Sequence, residues 1–199
     1  MPIIIAFEGP DSSGKTTQKE LLTQRLIDSG YHVESYKCPN ASKLFGKKIY
    51  KMLSDGSALK FPTFFQILHF FDKLDLNRKL QERSIESHAD FIIIDRWILS
   101  SLVYGRSTGV SKILLKLMSM YMQAPHITIY SKLNFSRQLN DQYDKDTLLQ
   151  ERVRLFYEKY SKNSAITGHL VKLEKTGTED EISNDIWDQL KNNFYVKGY

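Results

Sequence analysis

Gly9-Pro10-Asp11-Ser12-Ser13-Gly14-Lys15-Thr16 places two glycines, a lysine and a hydroxyl at the G-x-x-x-x-G-K-[ST] spacing of a phosphate-binding loop. The glycines let the backbone curl so that successive N–H groups face a polyphosphate. A helix beginning there adds the positive end of its dipole. Lys15 is placed to bridge the outer phosphates and the Thr16 hydroxyl to hold a magnesium ion, with Thr17 following in the same turn. A chance match would be a glycine turn followed by a helix capped at Ser12 or Ser13. Here the apolar run Ile3 to Phe7 precedes the loop and Leu21, Leu22, Arg25 and Leu26 follow it at helical spacing. That context implies a nucleoside triphosphate site.

A second loaded position follows another apolar run. Phe91-Ile92-Ile93-Ile94 ends in Asp95-Arg96-Trp97, and a charged pair directly after a buried strand costs desolvation unless it has partners or a task. Asp95 stands where an acidic residue orders magnesium and its waters beside a phosphate loop. Arg96 would enter the cleft as a bidentate clamp for phosphate. The competing reading is an internal Asp95–Arg96 ion pair that caps the next helix.

These residues need a scaffold, and the hydrophobic pattern supplies one. Strand-like runs occur at Ile3 to Phe7, Tyr31 to Lys37, Phe91 to Ile94, His126 to Tyr130 and His169 to Leu173. The first, third and fourth are continuous rather than alternating, as in strands covered on both faces. Helical patterns lie between them. One begins at Pro62 with Phe64, Leu68 and Phe71 on one face and Asp72, Lys73 and Arg78 on others. A second spans about Thr147 to Ser161, striped by Leu149, Val153, Phe156 and Tyr160, and a last one carries Ile182, Ile186 and Leu190. The alternation predicts a single α/β domain over residues 1–199, three layers deep, with a five-stranded parallel sheet and a short lid at about 134–146. Ligands in such sheets bind beyond the carboxyl ends of the strands, so residues after Phe7, Lys37, Ile94 and Tyr130 should line one crevice.

Composition is that of an ordinary soluble enzyme, with 41% hydrophobic and 26% charged residues. No apolar run approaches the length that spans a bilayer, and the N-terminal run has neither a basic leader nor a small-residue cleavage site. No membrane partner is expected. The lone Cys38 has no partner for an internal disulfide, fits a reducing cytoplasm, and reads as a packed small hydrophobe. A net charge of +5 suits anionic ligands. The basic residues are dispersed among acidic ones, so composition permits nucleic acid as a partner and gives no argument for it. His32, His88, His126 and His169 lack metal-ligand spacing and read as structural.

Two stretches together resemble the thymidylate kinase family. They are Phe-Glu-Gly-x-Asp-x-x-Gly-Lys-Thr-Thr-Gln at Phe7 to Gln18 and Asp-Arg-(aromatic)-x-x-Ser-x-x-x-(aromatic) at Asp95 to Tyr104. The likeness is greater to eukaryotic and viral members than to bacterial ones and extends to Gln150-Glu151-Arg152-Val153. It implies a P-loop fold and a nucleoside monophosphate kinase that uses Mg-ATP to phosphorylate dTMP. By position Asp11 matches the carboxylate near the acceptor sugar, and Lys15 and Thr16 match the phosphate lysine and the magnesium hydroxyl. Arg96 matches the arginine on the acceptor phosphate. Lys73 falls where the family has another arginine facing the acceptor, with His69 or Phe70 one turn earlier to stack on the base. Ser100 and Tyr104 belong to the second motif, and Tyr143 matches a tyrosine near the nucleoside. The resemblance also implies a homodimer, for which Ile113, Leu114, Leu117, Met118 and Tyr121 offer an apolar stripe.

Several family positions differ. Cys38-Pro39-Asn40-Ala41 lacks the aromatic and the arginine of Phe-Pro-x-Arg, with Lys43 the candidate replacement cation. Gly105 stands where a residue able to touch the base edge is usual, and Trp97 is a larger ring than the usual Tyr or His. In the lid, Arg137 is the one arginine available to neutralise the moving phosphoryl group. Weaker or shifted discrimination among pyrimidine monophosphates is expected. Three other functions stay open at this point. One is a kinase for another deoxynucleoside monophosphate or a modified pyrimidine. Another is a nucleoside or polynucleotide 5′-kinase using Glu8 or Asp11 as base, and the third is a nucleotide-binding protein without catalysis.

Overall fold

The computed structural model describes residues 1–82, 88–132, 146–174 and 177–193. Five strands, β1 (Ile3–Glu8), β2 (Val33–Lys37), β3 (Phe91–Asp95), β4 (Ile127–Ser131) and β5 (His169–Leu173), form one sheet in the order β2-β3-β1-β4-β5. Every pairing is parallel, with Phe7 opposite Asp95 and Glu8 opposite Tyr130. Those registers bring the ends of β1, β3 and β4 level, which sets the phosphate loop and the Asp95-Arg96 pair side by side. The expected α/β fold and parallel sheet are borne out.

Helices α1 (Lys15–Asp28), α2 (Leu44–Ser54), α3 (Ser57–Lys60), α4 (Pro62–Glu82), α5 (Ile98–Ser107), α6 (Lys112–Met120), α7 (Thr147–Tyr160), α8 (Ser164–Thr167) and α9 (Glu179–Asn193) surround the sheet. Alternate β1 residues serve opposite faces, which is why the strand reads as one apolar run. Ile5 and Phe7 pack with Leu22 and Leu26 of α1 and with Ile182, Ile186 and Leu190 of α9. Ile4 and Ala6 pack with Leu76 and Leu80 of α4 and with Ile98 and Leu102 of α5. A third cluster joins Ile49 and Met52 of α2, Phe65 and Leu68 of α4, Leu99 and Val103 of α5, and Val153 and Tyr157 of α7. This cluster frames the crevice.

The buried face of α4 differs from the expected one. Phe64 and Phe71 are each 44% exposed, whereas Phe65, Gln66, Asp72, Lys73 and Asn77 are buried. The aromatic rings find lateral partners instead: Phe71 stacks on Phe45 of α2 at 5.4 Å, and Lys48 lies 5.0 Å over Phe64. Asp72, Lys73 and Asn77 go inside because each is satisfied there. Asp72 accepts from the Asn40 N–H at 3.2 Å, and Lys73 Nζ donates to the Trp97 carbonyl at 3.0 Å and to Ser101 Oγ at 2.5 Å. Asn77 donates to the Tyr121 carbonyl at 3.1 Å and accepts from the Gln123 N–H at 2.6 Å, tying α4 to the turn after α6. Asn77→Ala leaves that N–H unpaired in a closely packed place. Urea unfolding is expected to show a loss of about 1–3 kcal/mol.

Candidate active site

The phosphate loop bends through positive φ at Gly9 (143°), Ser12 (55°) and Gly14 (75°), a conformation that turns successive N–H groups toward one concave surface. Gly9 is required sterically, because a Cβ there would strike the Ser131 carbonyl at the end of β4. Ser131 Oγ donates to the Ser13 carbonyl at 2.5 Å and pins the loop to the sheet. Lys15 folds over its own loop, with Nζ donating to the Pro10 carbonyl and to Ser13 Oγ at 3.3 Å. Thr16 is solvent-exposed, and Thr17 shares the first turn of α1.

Glu8, the last residue of β1, is 1% exposed. Its carboxylate accepts the Trp97 N–H at 2.9 Å, the Ser100 N–H at 3.1 Å and the Ser100 hydroxyl, which caps the start of α5. A carboxylate so committed is not a proton acceptor for a substrate hydroxyl. Arg96 precedes this cap in a left-handed conformation, φ 66°. Its guanidinium pairs with Asp11, donates to the Gly9 carbonyl at 3.1 Å and lies 5.4 Å over the Tyr104 ring. Burial opposes charge on Arg96. Asp11, with smaller contributions from Tyr104, Tyr157 and Asp95, outweighs it and holds the guanidinium well above its ordinary range. The Asp95–Arg96 pairing weighed from sequence thus gives way to an Asp11–Arg96 pair.

Beside Arg96 opens a cavity of about 390 Å³, within the range of small-ligand sites. The loop contributes Asp11 and Ser12, and the end of β2 adds Lys37, Cys38 and Pro39. Tyr50 and Leu53 come from α2. Helix α4 presents Phe65, Gln66, His69 and Lys73, and Arg96, Ser100, Ser101 and Tyr104 close the far wall. His69 meets Phe65 edge to face at 4.7 Å. Burial, together with the charges of Lys73 and Arg96, holds His69 well below its usual range, so its ring is a neutral stacking surface at pH 7. Burial also lowers Lys73 and pushes the Cys38 thiol up to about 12, which leaves that cysteine un-ionised as its packing implied.

Of the residues singled out from sequence, Asp11, Ser12, His69, Lys73, Arg96, Ser100 and Tyr104 meet at this cavity. Lys43 does not: it is exposed and paired with Asp75 on the outer surface. Phe70 does not either. It packs against Phe71 and Tyr121 and lines a separate, smaller void with Leu115 and Met122. A Cβ at Gly105 would meet Leu115, so that glycine removes nothing from the cavity wall, and Trp97 is wholly buried with Nε1 donating to the Gln123 carbonyl at 2.9 Å. Arg137 and Tyr143 lie outside the described residues. Sequence reasoning missed Lys37, Tyr50, Phe65, Gln66 and Ser101 at the cavity. Phe65 was findable, being four and eight residues before His69 and Lys73 on one helical face. Lys37 was findable from its place at a strand's carboxyl end. No sequence signal marked Tyr50. His126 is structural as expected, with Nδ1 accepting the Ile4 N–H at 2.9 Å.

The residues fit a magnesium ion bound through phosphate and water. Asp95 Oδ1, close to Lys15, is buried without a hydrogen-bond partner among the described residues, and Thr16 lies in the first turn of the adjacent helix. Among the described residues no cluster of three or more His, Cys, Asp or Glu could hold a metal unaided. Magnesium that leans on substrate phosphates needs none.

Burial and the nearby Arg96 lower Lys15 to about 7. Polyphosphate favours the ammonium form, so binding of a nucleoside triphosphate takes up a proton wherever the free lysine is neutral. Uptake is therefore small at pH 6, approaches about one proton at pH 8.5, and makes affinity fall as pH rises above 7. Calorimetry in buffers of different ionisation heat measures it directly.

Comparison with known proteins agrees with this geometry. Residues 7–186 match the family model described as thymidylate kinase. A probable thymidylate kinase of Methanocaldococcus jannaschii is 26% identical over 191 residues, covering 96% of each chain. The thymidylate kinase of Caldanaerobacter subterraneus is 32% identical over 132 residues, 63% of this chain and 62% of its own. In three dimensions the thymidylate kinase of Candida albicans superposes with a TM-score of 0.74 at 21% identity, covering 96% of this chain and 92% of the other, which shows a shared fold. With the family match running from the end of β1 into α9, the chain belongs to the thymidylate kinase family.

Proposed function

We propose that this protein transfers the γ-phosphoryl group of ATP to dTMP, yielding dTDP and ADP for nucleotide biosynthesis in the cytoplasm. The observation that carries the reading is the place of Arg96. One guanidinium touches the phosphate loop through Gly9 and Asp11 and also faces the acceptor cavity. A phosphate oxygen of dTMP attacks the γ-phosphorus in line as the bond to the β–γ bridging oxygen breaks, with charge spread over the transferring oxygens. The attacking oxygen is already anionic, so no base is required. That suits a site whose Glu8 is consumed as a helix cap and whose Asp11 accepts from Arg96 and Tyr104.

Gly9 to Thr17 cradle the donor phosphates, Lys15 neutralises them, and Arg96 with Lys37 and Lys73 draws in the acceptor phosphate and nucleoside. Thr16 and, through water, Asp95 would hold a magnesium ion, which would supply charge neutralisation on the donor phosphates. The base stacks against His69 and Phe65. No helix among the described residues is long and apolar enough to cross a membrane.

Lys15→Ala or Arg96→Ala is expected to lower kcat at least about a hundredfold. The unfolding midpoint should stay close to wild type, or rise for Lys15→Ala, because a costly buried ammonium is removed. A coupled assay should record ADP formation with dTMP and none with thymidine. Activity confined to nucleosides rejects the assignment. Two copies of the chain pair through α6 and the residue that caps it, where Ile113, Leu117, Met120 and Tyr121 are exposed. Sedimentation velocity at micromolar concentration should show a dimer that Leu117→Lys converts to monomer.

A further inference from the structure

Base selection needs a polar group on the cavity wall, and the position expected to supply it, Gly105, faces Leu115 instead. Helix α4 carries an alternative. Gln66 lies on the face that also bears Phe65, His69 and Lys73, lines the cavity, and is only 2% exposed. Its Oε1 is buried with no hydrogen-bond partner among the described residues. Leaving such an atom unpaired costs about 1–3 kcal/mol, and native proteins seldom carry that cost without a reason. Asp72, Lys73 and Asn77, the other buried polar residues further along α4, all have partners. Gln66 is therefore the exception on a helix that otherwise satisfies what it buries.

A carboxamide presents an acceptor and a donor side by side, and its last torsion is soft enough to turn either toward the cavity. The complementary ligand edge has a donor next to an acceptor. The N3–H and O4 of thymine or uracil make such an edge, and a base stacked on the adjacent Phe65 and His69 rings would present it along the helix. We infer that Gln66 reads the N3–H/O4 edge of the acceptor base and is the specificity-determining polar residue of this cavity. This assignment rests on the monophosphate kinase reading above. The C5 substituent lies on a different edge, so Gln66 does not distinguish dTMP from dUMP; only shape contacts can, and these are worth roughly 10 to 200-fold.

The test compares dTMP, dUMP and N3-methyl-dTMP as acceptors for wild type and Gln66→Leu, with thermal melting as the check on folding. Gln66→Met repeats the measurement with an unbranched side chain of similar length. Wild type should strongly prefer dTMP over its N3-methyl analogue. Each variant should lose about 10 to 100-fold in kcat/KM for dTMP and dUMP alike. Neither should change kcat/KM for the N3-methyl analogue, and the KM for ATP should stay within about twofold of wild type. The inference is overturned if wild type uses the N3-methyl analogue as well as dTMP, which requires no variant to fold. It is also overturned if the variants retain wild-type kcat/KM for dTMP, or lose activity equally on both acceptors, as a structural role would give. Wild type that phosphorylates no deoxynucleoside monophosphate at all refutes the kinase reading itself, a result distinct from any of these.

Discussion

The buried carboxylate of Glu8 at the start of α5 is the contact on which the site depends. It sits one residue before Gly9, so the strand that launches the phosphate loop also holds the helix that carries the acceptor wall. A desolvated carboxylate is tolerable only when its oxygens are filled, and the α5 N-terminus supplies both N–H groups and a favourable dipole. Tyr157 of α7 reinforces the joint. Its hydroxyl lies 3.1 Å from the Gly9 carbonyl and 3.0 Å from Ser100 Oγ. Burial keeps that phenol far above its usual range and therefore protonated. Phosphoryl transfer is sensitive to displacements of an ångström, and this junction removes the freedom that would permit them.

The same packing loads the crevice with positive charge. Lys37, Lys73 and Arg96 line the cavity, and Lys15 of the adjoining phosphate loop is near enough to feel the charge of Arg96. Two of these cations are buried and cost the fold something: burial pulls Lys15 and Lys73 below their ordinary ranges. Arg96 escapes through its pair with Asp11. Anionic substrates relieve these costs when they bind, so unfavourable electrostatics in the protein alone become binding free energy for nucleotides. Neutral His69 fits the scheme, because a second charge beside Lys73 would be repelled.

Helix α4 shows how one element serves fold and site together. Leu76 and Leu80 reach the sheet core, Asn77 anchors the turn beyond α6, and the first half of the helix turns Phe65, Gln66, His69 and Lys73 to the cavity. Its apolar residues are consequently spread around the helix rather than gathered in one stripe. Reading a stripe from Phe64, Leu68 and Phe71 placed the aromatic surface on the wrong side, and two of those three residues are half-exposed against α2.

Local chemistry determined what the sequence disclosed by itself. Continuous apolar runs followed by turn signals read as strands covered on both faces, the strand–loop–helix context of Gly9 to Thr16 read as a phosphate loop, and the Asp95-Arg96 pair after a buried strand pointed to the second half of the site. The sheet and the meeting of Lys15, Asp95 and Arg96 were legible for that reason. Partnership across the chain was not. Asp11 rather than Asp95 takes Arg96, Glu8 caps a helix ninety residues away, Lys43 turns outward to Asp75, and Gly105 answers to Leu115. Each outcome depends on which side chains other elements bring within a few ångströms, and no spacing along the chain encodes that. Gln66 belongs to the same class. Its burial beside the cavity arises only when α2, α4 and α5 close around it, and tertiary structure alone distinguished it from any other glutamine on a helix.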